Sequence, residues 1–141
     1  MILPDVNVLI YAFRTDSNDH HRYQEWLESV VNGPAAYGIA PQVLASVVRI
    51  TTHSRIYRKP SSLADVFDFC RVLLEQPNAT VTTPGARHWS IFEDLCTKAD
   101  ARGNLVQDAW FAALAIESGC EWITTDGDYG RFPGLSWRAP L

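Results

Sequence analysis

The chain has 141 residues, of which 47% are hydrophobic and 20% are charged. This composition is typical of a globular protein, which excludes a disordered or fibrous chain, and the length predicts a single domain over residues 1–141. Twelve Lys and Arg against sixteen Asp and Glu give a net charge of −4, so contact with nucleic acid would need a local basic patch or a metal ion.

Short apolar runs alternate with amphipathic segments along the chain. The sequence predicts strands over residues 1–3, 37–40, 80–83, 122–125 and 135–137. Apolar residues at helical spacing predict helices from about residue 8, over 23–31, 41–48, 63–74 and 92–99, and from 104 to 118. Strands that alternate with helices indicate a mostly parallel sheet covered on both faces. The predicted fold class is therefore α/β, with three α/β/α layers.

Capping residues predict where several helices begin and end. Pro41 suits the first position of the third helix, and Ser62 is a candidate N-cap of the fourth. Asn104 is predicted to cap the sixth helix, with Gln107 completing a capping box and Gly119 following its last residue.

The start of the chain and its cysteines favour a cytoplasmic protein without a membrane anchor. MILPDVN lacks the basic and long apolar regions of a signal peptide, and the longest apolar run, residues 109–116, is far below the roughly 20 residues of a membrane span. Cys70, Cys96 and Cys120 are odd in number and form no CxxC motif. This pattern predicts buried thiols in a reducing compartment.

Three aspartates are predicted to meet at one edge of the sheet. Asp5 and Asp126 each follow a predicted strand, and parallel sheets bind ligands beyond the carboxyl ends of their strands. Asp108 lies in the first turns of a helix whose apolar surface indicates burial, so its charge needs a partner. Because helix N-termini lie beside strand C-termini in such folds, all three carboxylates can converge.

Converging carboxylates need a cation. Two carboxylates about 5 Å apart repel by roughly 3 kcal/mol at an effective dielectric of about 20, so three such pairs approach a domain's whole stability of about 5–15 kcal/mol. A hard divalent cation removes this repulsion, and oxygen ligands favour Mg²⁺ or Mn²⁺. Such a site suits phosphodiester hydrolysis, because the metal activates water and neutralises charge in the transition state.

Each of these aspartates also has an ordinary structural interpretation. Asp5 suits an Asx-turn or the cap of the first helix, and Asp108 suits the positive end of a helix dipole. Asp126 precedes Gly127, and Asp-Gly is a common turn. The combination of the three is more specific than any one of them.

Several segments resemble the motifs of PIN-domain ribonucleases. DVNVLIYA at residues 5–12 is similar to the opening motif of that family, DAWFAALA at 108–115 to its third-acid helix, and TTDGDY at 124–129 to its last-acid motif. The resemblance covers essentially the whole chain. Within the family, RITTHSR at residues 49–55 and RGNLV at 102–106 resemble a subgroup of VapC toxins, from type II toxin–antitoxin modules, that is common in mycobacteria.

The resemblance implies a PIN-like fold and a metal-dependent endoribonuclease. By this resemblance Asp5, Asp108 and Asp126 are the catalytic and metal-binding residues. Asp128 is either a further metal ligand or a solvated turn residue. The implied cofactor is Mg²⁺, with Mn²⁺ as a substitute, and the implied substrate is structured RNA such as tRNA or ribosomal RNA. A homodimer and a VapB-type antitoxin, whose C-terminal segment typically enters the active site, are the implied partners.

One position departs from the family pattern. The family has a Glu in the helix after the second strand, and matching VLASVVR to that helix places Ser46 at this position. A hydroxyl brings no negative charge, which motivates an alternative function: a catalytically weak PIN-fold module that binds RNA or antitoxin without cutting. A third interpretation is phosphoryl transfer through Asp5 as nucleophile. It is the weakest, since Asn7 stands where an acid is expected.

The third predicted helix carries a polar face that adds candidate RNA contacts. Gln42, Ser46, Arg49 and His53 are spaced to lie near one side of this helix. If Ser46 faces the cleft, Arg49 can reach a phosphate there. The alternative is an ordinary solvent-exposed face.

The remaining candidates are a basic segment and two polar residues near the acids. Four of the twelve basic residues fall in one short stretch without acids, and they predict contact with RNA or with an acidic part of the antitoxin: Arg49, Arg55, Arg58 and Lys59. By the resemblance, Asn7 supports the site or contacts substrate; its alternative is helix capping. Thr124 either forms a hydrogen bond near the site or is an ordinary strand residue. His20, His21 and His88 show no ligand spacing and are interpreted as surface or cap residues.

Overall fold

The computed structural model describes all 141 residues and is built on one five-stranded sheet. The strands are β1 (Ile2–Pro4), β2 (Tyr37–Ile39), β3 (Ala79–Val81), β4 (Glu121–Ile123) and β5 (Trp137–Arg138). Their order across the sheet is β3-β2-β1-β4-β5, and each neighbouring pair is parallel. The predicted α/β fold with a parallel central sheet is confirmed, and β1 is its middle strand.

Six α-helices and one 3₁₀ helix accompany the sheet. The α-helices are α1 (Val6–Phe13), α2 (His20–Val31), α3 (Pro41–Thr51), α4 (Leu63–Glu75), α5 (His88–Ala99) and α6 (Asn104–Ser118), and the 3₁₀ helix spans Gly127–Arg131. Helix α1 packs against α2 and α3, and α5 packs against α6. None of these helices combines the length and apolarity that a membrane crossing requires.

A single cluster of buried apolar side chains joins the sheet to the helices. It includes Leu3 and Trp122 from neighbouring central strands and the continuous stretch of residues 111–115 in α6. Three of those five α6 residues are alanines, and small side chains let a helix lie close to a sheet. Close packing of α6 in turn fixes the position of Asp108, which lies one turn before this stretch.

The boundaries of α1 and β4, which adjoin Asp5 and Asp126, differ slightly from the predicted ones. Helix α1 begins two residues earlier than predicted, since Asp5 Oδ1 accepts a hydrogen bond from the Val6 backbone N–H at 2.6 Å and caps it. Strand β4 ends at Ile123, so Thr124 and Thr125 separate Asp126 from the strand. Asp126 therefore lies in the loop beyond the strand and caps the 3₁₀ helix.

Two of the predicted helix ends are confirmed by hydrogen bonds and dihedral angles. Ser62 Oγ accepts from the Asp65 backbone N–H at 3.1 Å at the start of α4. Gly119 ends α6 with a φ of 70°, a conformation that glycine adopts without steric cost. Pro41 is the first residue of α3, as predicted.

The capping box predicted for α6 is wrong. Asn104 is already the first residue of the helix, and the N-cap is Gly103, whose positive φ of 58° favours glycine. No side chain caps this end. Asn104 and Gln107 instead line a cleft at this end of the helix.

Burial corrects two further predictions. His88 begins α5, in agreement with the helix-end alternative, but the surface alternative is wrong: it is 2% exposed, and its Nε2 donates to the Trp110 carbonyl at 3.0 Å across the α5–α6 contact. Cys96 is half-buried, whereas Cys70 and Cys120 are buried thiols as predicted. His20 begins α2, in agreement with its interpretation as a helix-end residue.

The close approach of β2 to its neighbours predicts that Gly38→Ala is destabilising. A Cβ at Gly38 would lie 2.9 Å from Thr82 Oγ1 and 3.3 Å from the Ile2 carbonyl oxygen, and backbone cannot move away easily. We expect a loss of about 1–3 kcal/mol in the free energy of unfolding, measured by urea denaturation. Gly127→Ala is the matched control, since no atom lies within 4 Å of its added Cβ. Equal stabilities of the two variants would contradict the tight packing inferred here.

Candidate metal-binding active site

A polar cleft of about 450 Å³ opens where β1 and β4 end. Its walls come from the starts of α1 and α6, the cleft-facing side of α3 and the 3₁₀ helix. The cleft brings together these sequence-predicted site residues: Asp5, Asn7, Ser46, Arg49, Asp108, Asp126 and Asp128. Two further candidates do not line the cleft: Thr124 is buried and hydrogen-bonded to Asp5, and Arg55 lies outside it.

Asp5 lies at the base of the cleft and is only 5% exposed. Its Oδ1 accepts from the Val6 backbone N–H, and its Oδ2 accepts from the Thr124 hydroxyl at 2.6 Å. The pKa of Asp5 is raised from 3.8 to about 7, mainly because burial desolvates the carboxylate, and the charges of Asp108 and Asp126 contribute to the rise. The two hydrogen bonds oppose this rise. Asp5 is therefore both a helix cap and a strongly perturbed acid.

Thr124 connects several of the site residues through one hydroxyl group. Its Oγ1 is buried, donates to Asp5, and accepts from the Asp126 backbone N–H at 3.1 Å and from Asn7 Nδ2 at 3.4 Å. The other amide atom of Asn7, Oδ1, is buried without a hydrogen-bond partner. A buried acceptor that lacks a donor is costly, so this oxygen is suited to a ligand or its bound water.

Asp108 and Tyr129 are a second hydrogen-bonded pair in the cleft. Desolvation raises the pKa of the half-buried Asp108, with the charge of Asp126 as the next cause. The Tyr129 hydroxyl donates to Asp108 Oδ1 at 3.4 Å, and burial raises the pKa of Tyr129 so that it remains a protonated donor. The sequence reasoning missed Tyr129 as a site residue. Its one signal was its place inside the TTDGDY motif.

Asp126 and Asp128 belong to one short turn at the cleft. Asp126 Oδ1 accepts from the Asp128 backbone N–H at 2.9 Å, which leaves its Oδ2 without a protein donor. Asp128 is exposed and forms a weak 3.9 Å ion pair with Arg131. The turn interpretation of these residues is thus compatible with their position in the cleft.

The polar face of α3 contributes two of its four predicted residues to the cleft. Ser46 and Arg49 line it. Gln42 instead accepts a 2.5 Å hydrogen bond from Trp110 Nε1 outside the cleft. His53 follows the end of α3 and is exposed.

The donor chemistry of the cleft fits a hard divalent cation. Its lining contains carboxylates but no His or Cys, which favours Mg²⁺ or Mn²⁺ over softer metals. No three Asp, Glu, His or Cys side chains are close enough to form a ready-made metal cluster. Mg²⁺ needs less, because it usually binds through one or two carboxylates and keeps several waters. Asp5, Asp108, Asp126 and the unpartnered Asn7 Oδ1 supply enough oxygen ligands for such a site.

The raised pKa of Asp5 predicts that the metal-free protein loses stability as pH rises. An acid whose folded pKa lies above its unfolded value stabilises the fold at low pH, and this contribution is lost between about pH 4 and pH 7. Asp5→Asn lacks the charge, so the free energy of unfolding of the variant minus that of wild type should be roughly 2–3 kcal/mol higher at pH 8 than at pH 5. Urea denaturation in EDTA measures this difference. A difference that is independent of pH would contradict the perturbed pKa.

Comparisons with known proteins identify relatives over the whole chain. Residues 2–135 match the model of the PIN domain family. VapC ribonuclease Mb2897 of Mycobacterium bovis is 39% identical over 141 residues, which cover 100% of this chain and 96% of that protein. Ribonuclease VapC25 of Mycobacterium tuberculosis is 38% identical over 140 residues, with 99% of each chain covered.

Solved structures share the fold at low sequence identity. VapBC2 from Rickettsia felis, bound to a promoter DNA fragment, gives a TM-score of 0.70 at 19% identity and covers 99% of this chain and 98% of its own. Mycobacterium tuberculosis VapC20, described as a sarcin-ricin loop cleaving toxin, gives a TM-score of 0.68 at 14% identity, with coverages of 96% and 98%. Together with the family match and the full-length relatives, the fold places this chain in the PIN-domain family, among the VapC ribonucleases.

Proposed function

We propose that this chain is a divalent-metal-dependent endoribonuclease toxin of a toxin–antitoxin module. The observation that carries the proposal is the convergence of Asp5, Asp108 and Asp126 in one cleft of a chain from the VapC family. The proposed reaction is hydrolysis of RNA phosphodiester bonds. It is supported by the ribonuclease names of relatives that are 38–39% identical over the full length.

Asp5, Asp108 and Asp126 would hold the cation, with Asp128 as an additional oxygen ligand at the exposed side. When bound, Mg²⁺ or Mn²⁺ supplies activation of water and neutralisation of phosphate charge. The chain's own residues prepare this site. Thr124 holds Asp5 Oδ2 at 2.6 Å, and Tyr129 donates to Asp108, so both carboxylates are oriented from behind. Because the pKa of Asp5 is about 7, cation binding at lower pH would release a proton from it.

The proposed substrate is a structured RNA, and the proposed partner is a VapB-type antitoxin. Cleavage of the sarcin-ricin loop is named for the structural neighbour VapC20, and the family resemblance suggests tRNA or ribosomal RNA. The antitoxin is supported by neighbours solved as VapBC complexes. A homodimer is proposed on the family resemblance.

A second candidate function rests on Ser46. This residue lines the cleft where the family pattern has a Glu, so the cleft has one potential metal ligand fewer. If the remaining carboxylates bind metal too weakly, the protein would be a PIN-fold module that binds RNA or antitoxin but does not cleave RNA efficiently.

Substitution of Asp108 is expected to abolish RNA cleavage. Asp108→Asn removes a negative charge that faces the proposed cation. Mutation of a residue that only hydrogen-bonds to a metal ligand typically lowers metal affinity or activity about 10–100-fold. For a proposed ligand we therefore expect the cleavage rate to fall by about 100-fold or more. The assay is cleavage of total cellular RNA by purified protein in Mg²⁺, in Mn²⁺ and in EDTA. Asp65→Asn, at an exposed position of α4, is the charge-matched control.

Full activity of the Asp108→Asn variant would refute the role assigned to Asp108. Discrete metal-dependent cuts by wild type and the Asp65→Asn control, absent in the Asp108→Asn variant, would establish the enzyme. A folded wild-type protein that binds RNA with metal present but does not cut it would support the binding module instead.

Restoring an acid at position 46 is expected to strengthen metal binding. Ser46→Glu adds a carboxylate to a cleft that already has four, and each added anionic ligand favours a divalent cation. Isothermal titration with Mn²⁺ should give a dissociation constant at least about 5-fold lower than that of wild type. Ser46→Gln introduces a side chain of the same size as Glu but without its charge, and it should leave the Mn²⁺ affinity near the wild-type value. Equal Mn²⁺ affinities of the Glu and Gln variants would contradict a metal site beside Ser46.

A further inference from the structure

We propose that Arg49 binds the phosphodiester group of RNA beside the carboxylates of the cleft, a role that rests on the proposed ribonuclease function. Arg49 lies in the last turn of α3 and lines the cleft that contains Asp5, Asp108 and Asp126. It is the single Lys or Arg among the residues that line this cleft. A phosphate that approaches the acids therefore meets one protein cation.

The guanidinium group of Arg49 is free of protein partners. Six ion pairs occur in the structure, and Arg49 takes part in none of them, even though four carboxylates share its cleft. The Thr52 hydroxyl donates to the backbone carbonyl of Arg49 at 3.4 Å, and this bond does not involve the guanidinium. Five N–H donors in a planar fork thus remain for a ligand.

A second arginine near the end of α1 shows what a structural arginine looks like in this protein. Arg14 is 8% exposed, pairs with Asp16 at 2.5 Å and donates to the Lys59 carbonyl at 3.0 Å. Its guanidinium carbon also lies 3.8 Å from the centre of the Tyr57 ring. Every side of Arg14 is used by the fold, whereas Arg49 is exposed and unpaired.

Ser46 explains why Arg49 has no partner on its own helix. Ser46 lies three residues before Arg49 and lines the same cleft. A Glu at this position would stand at the helical spacing at which opposite charges pair, and it would compete for the guanidinium. The serine therefore removes an anion from the cleft and leaves Arg49 available to an incoming anion.

The charge balance of the cleft calls for such a cation. Asp5, Asp108, Asp126 and Asp128 outnumber Arg49 four to one among the charged lining residues. A phosphodiester adds a further negative charge, and one divalent cation offsets only part of the total. A guanidinium matches two phosphate oxygens at once, and charge-assisted hydrogen bonds of this kind are roughly twice as strong as neutral ones.

The packing of α3 fixes the backbone at Arg49. Val43, Leu44 and Val47 are buried on the opposite side of the helix. Thr51 is also buried, and its hydroxyl donates to the Val47 carbonyl at 2.7 Å near the helix end. Placement on a packed helix limits the motion of the side chain to its own rotamers.

The test compares Arg49→Ala with Arg22→Ala, which removes an exposed arginine from α2 outside the cleft. The binding probe is a short fluorescein-labelled RNA stem-loop, with Ca²⁺ as the cation, titrated between about 50 and 200 mM salt. Loss of one phosphate contact should reduce the slope of log K against log salt by about 0.7 to 1 for Arg49→Ala. The Arg22→Ala slope should equal that of wild type.

A second readout is the rate of RNA cleavage in Mg²⁺. Arg49→Ala should lower kcat by about 100-fold, the scale of losing one positioned donor to a developing charge. Arg49→Lys keeps the charge but not the fork, so it should retain the salt slope and recover part of kcat. An unchanged slope for Arg49→Ala, or an equal loss for Arg22→Ala, would overturn the proposal.

The two proposals fail in different ways. A wild-type protein that cuts no RNA in any metal would refute the ribonuclease function. The salt slopes measured in Ca²⁺ would still decide whether Arg49 contacts phosphate, since they do not depend on turnover. Circular dichroism of both alanine variants should match wild type, because both side chains are exposed.

Discussion

A buried carboxylate at the carboxyl end of the central strand governs the rest of the site. Asp5 caps α1 and accepts a hydrogen bond from the Thr124 hydroxyl, and both interactions lower its pKa. Burial and the neighbouring acids outweigh them and raise the pKa to about 7. The fold maintains this costly arrangement because β1 lies between β2 and β4 and cannot move away from them. The close packing of α6 similarly fixes Asp108. A cation that joins the carboxylates would offset both the desolvation and the repulsion.

Much of this architecture follows from local sequence patterns. Helical periodicity and short apolar runs predict the parallel α/β sheet, and the position of Asp5 and Asp126 after strands predicts their meeting at one edge. The details that escaped prediction depend on tertiary contacts or on the sign of a dihedral angle. His88 is buried where its ring donates to the Trp110 carbonyl. The N-cap of α6 is Gly103 rather than Asn104, and the helical periodicity of the sequence does not show the positive φ that Gly103 adopts.

Ser46 gives this cleft one acid fewer than the family pattern, next to the unpaired Arg49. The exchange of an acid for a hydroxyl reduces the number of potential metal ligands, and it also leaves a guanidinium unpaired beside the remaining carboxylates. With the proposed function, this one change would lower the affinity of the cleft for a metal ion and leave Arg49 available to a phosphate. The helical spacing predicts that Ser46 and Arg49 share one face of α3. The structure adds that these two residues line the cleft. Gln42, predicted on the same face, instead contacts Trp110.

Diffraction from crystals soaked in Mn²⁺, with anomalous scattering to locate the ion, would show directly whether the carboxylates of the cleft bind a metal. We expect one or more anomalous peaks in the cleft, at roughly 2.0–2.2 Å from an oxygen of Asp5 and of at least one of Asp108 and Asp126. Crystals of the Asp108→Asn variant should show a weaker peak. Strong Mn²⁺ peaks elsewhere on the protein, with none at these carboxylates, would refute a metal site in this cleft.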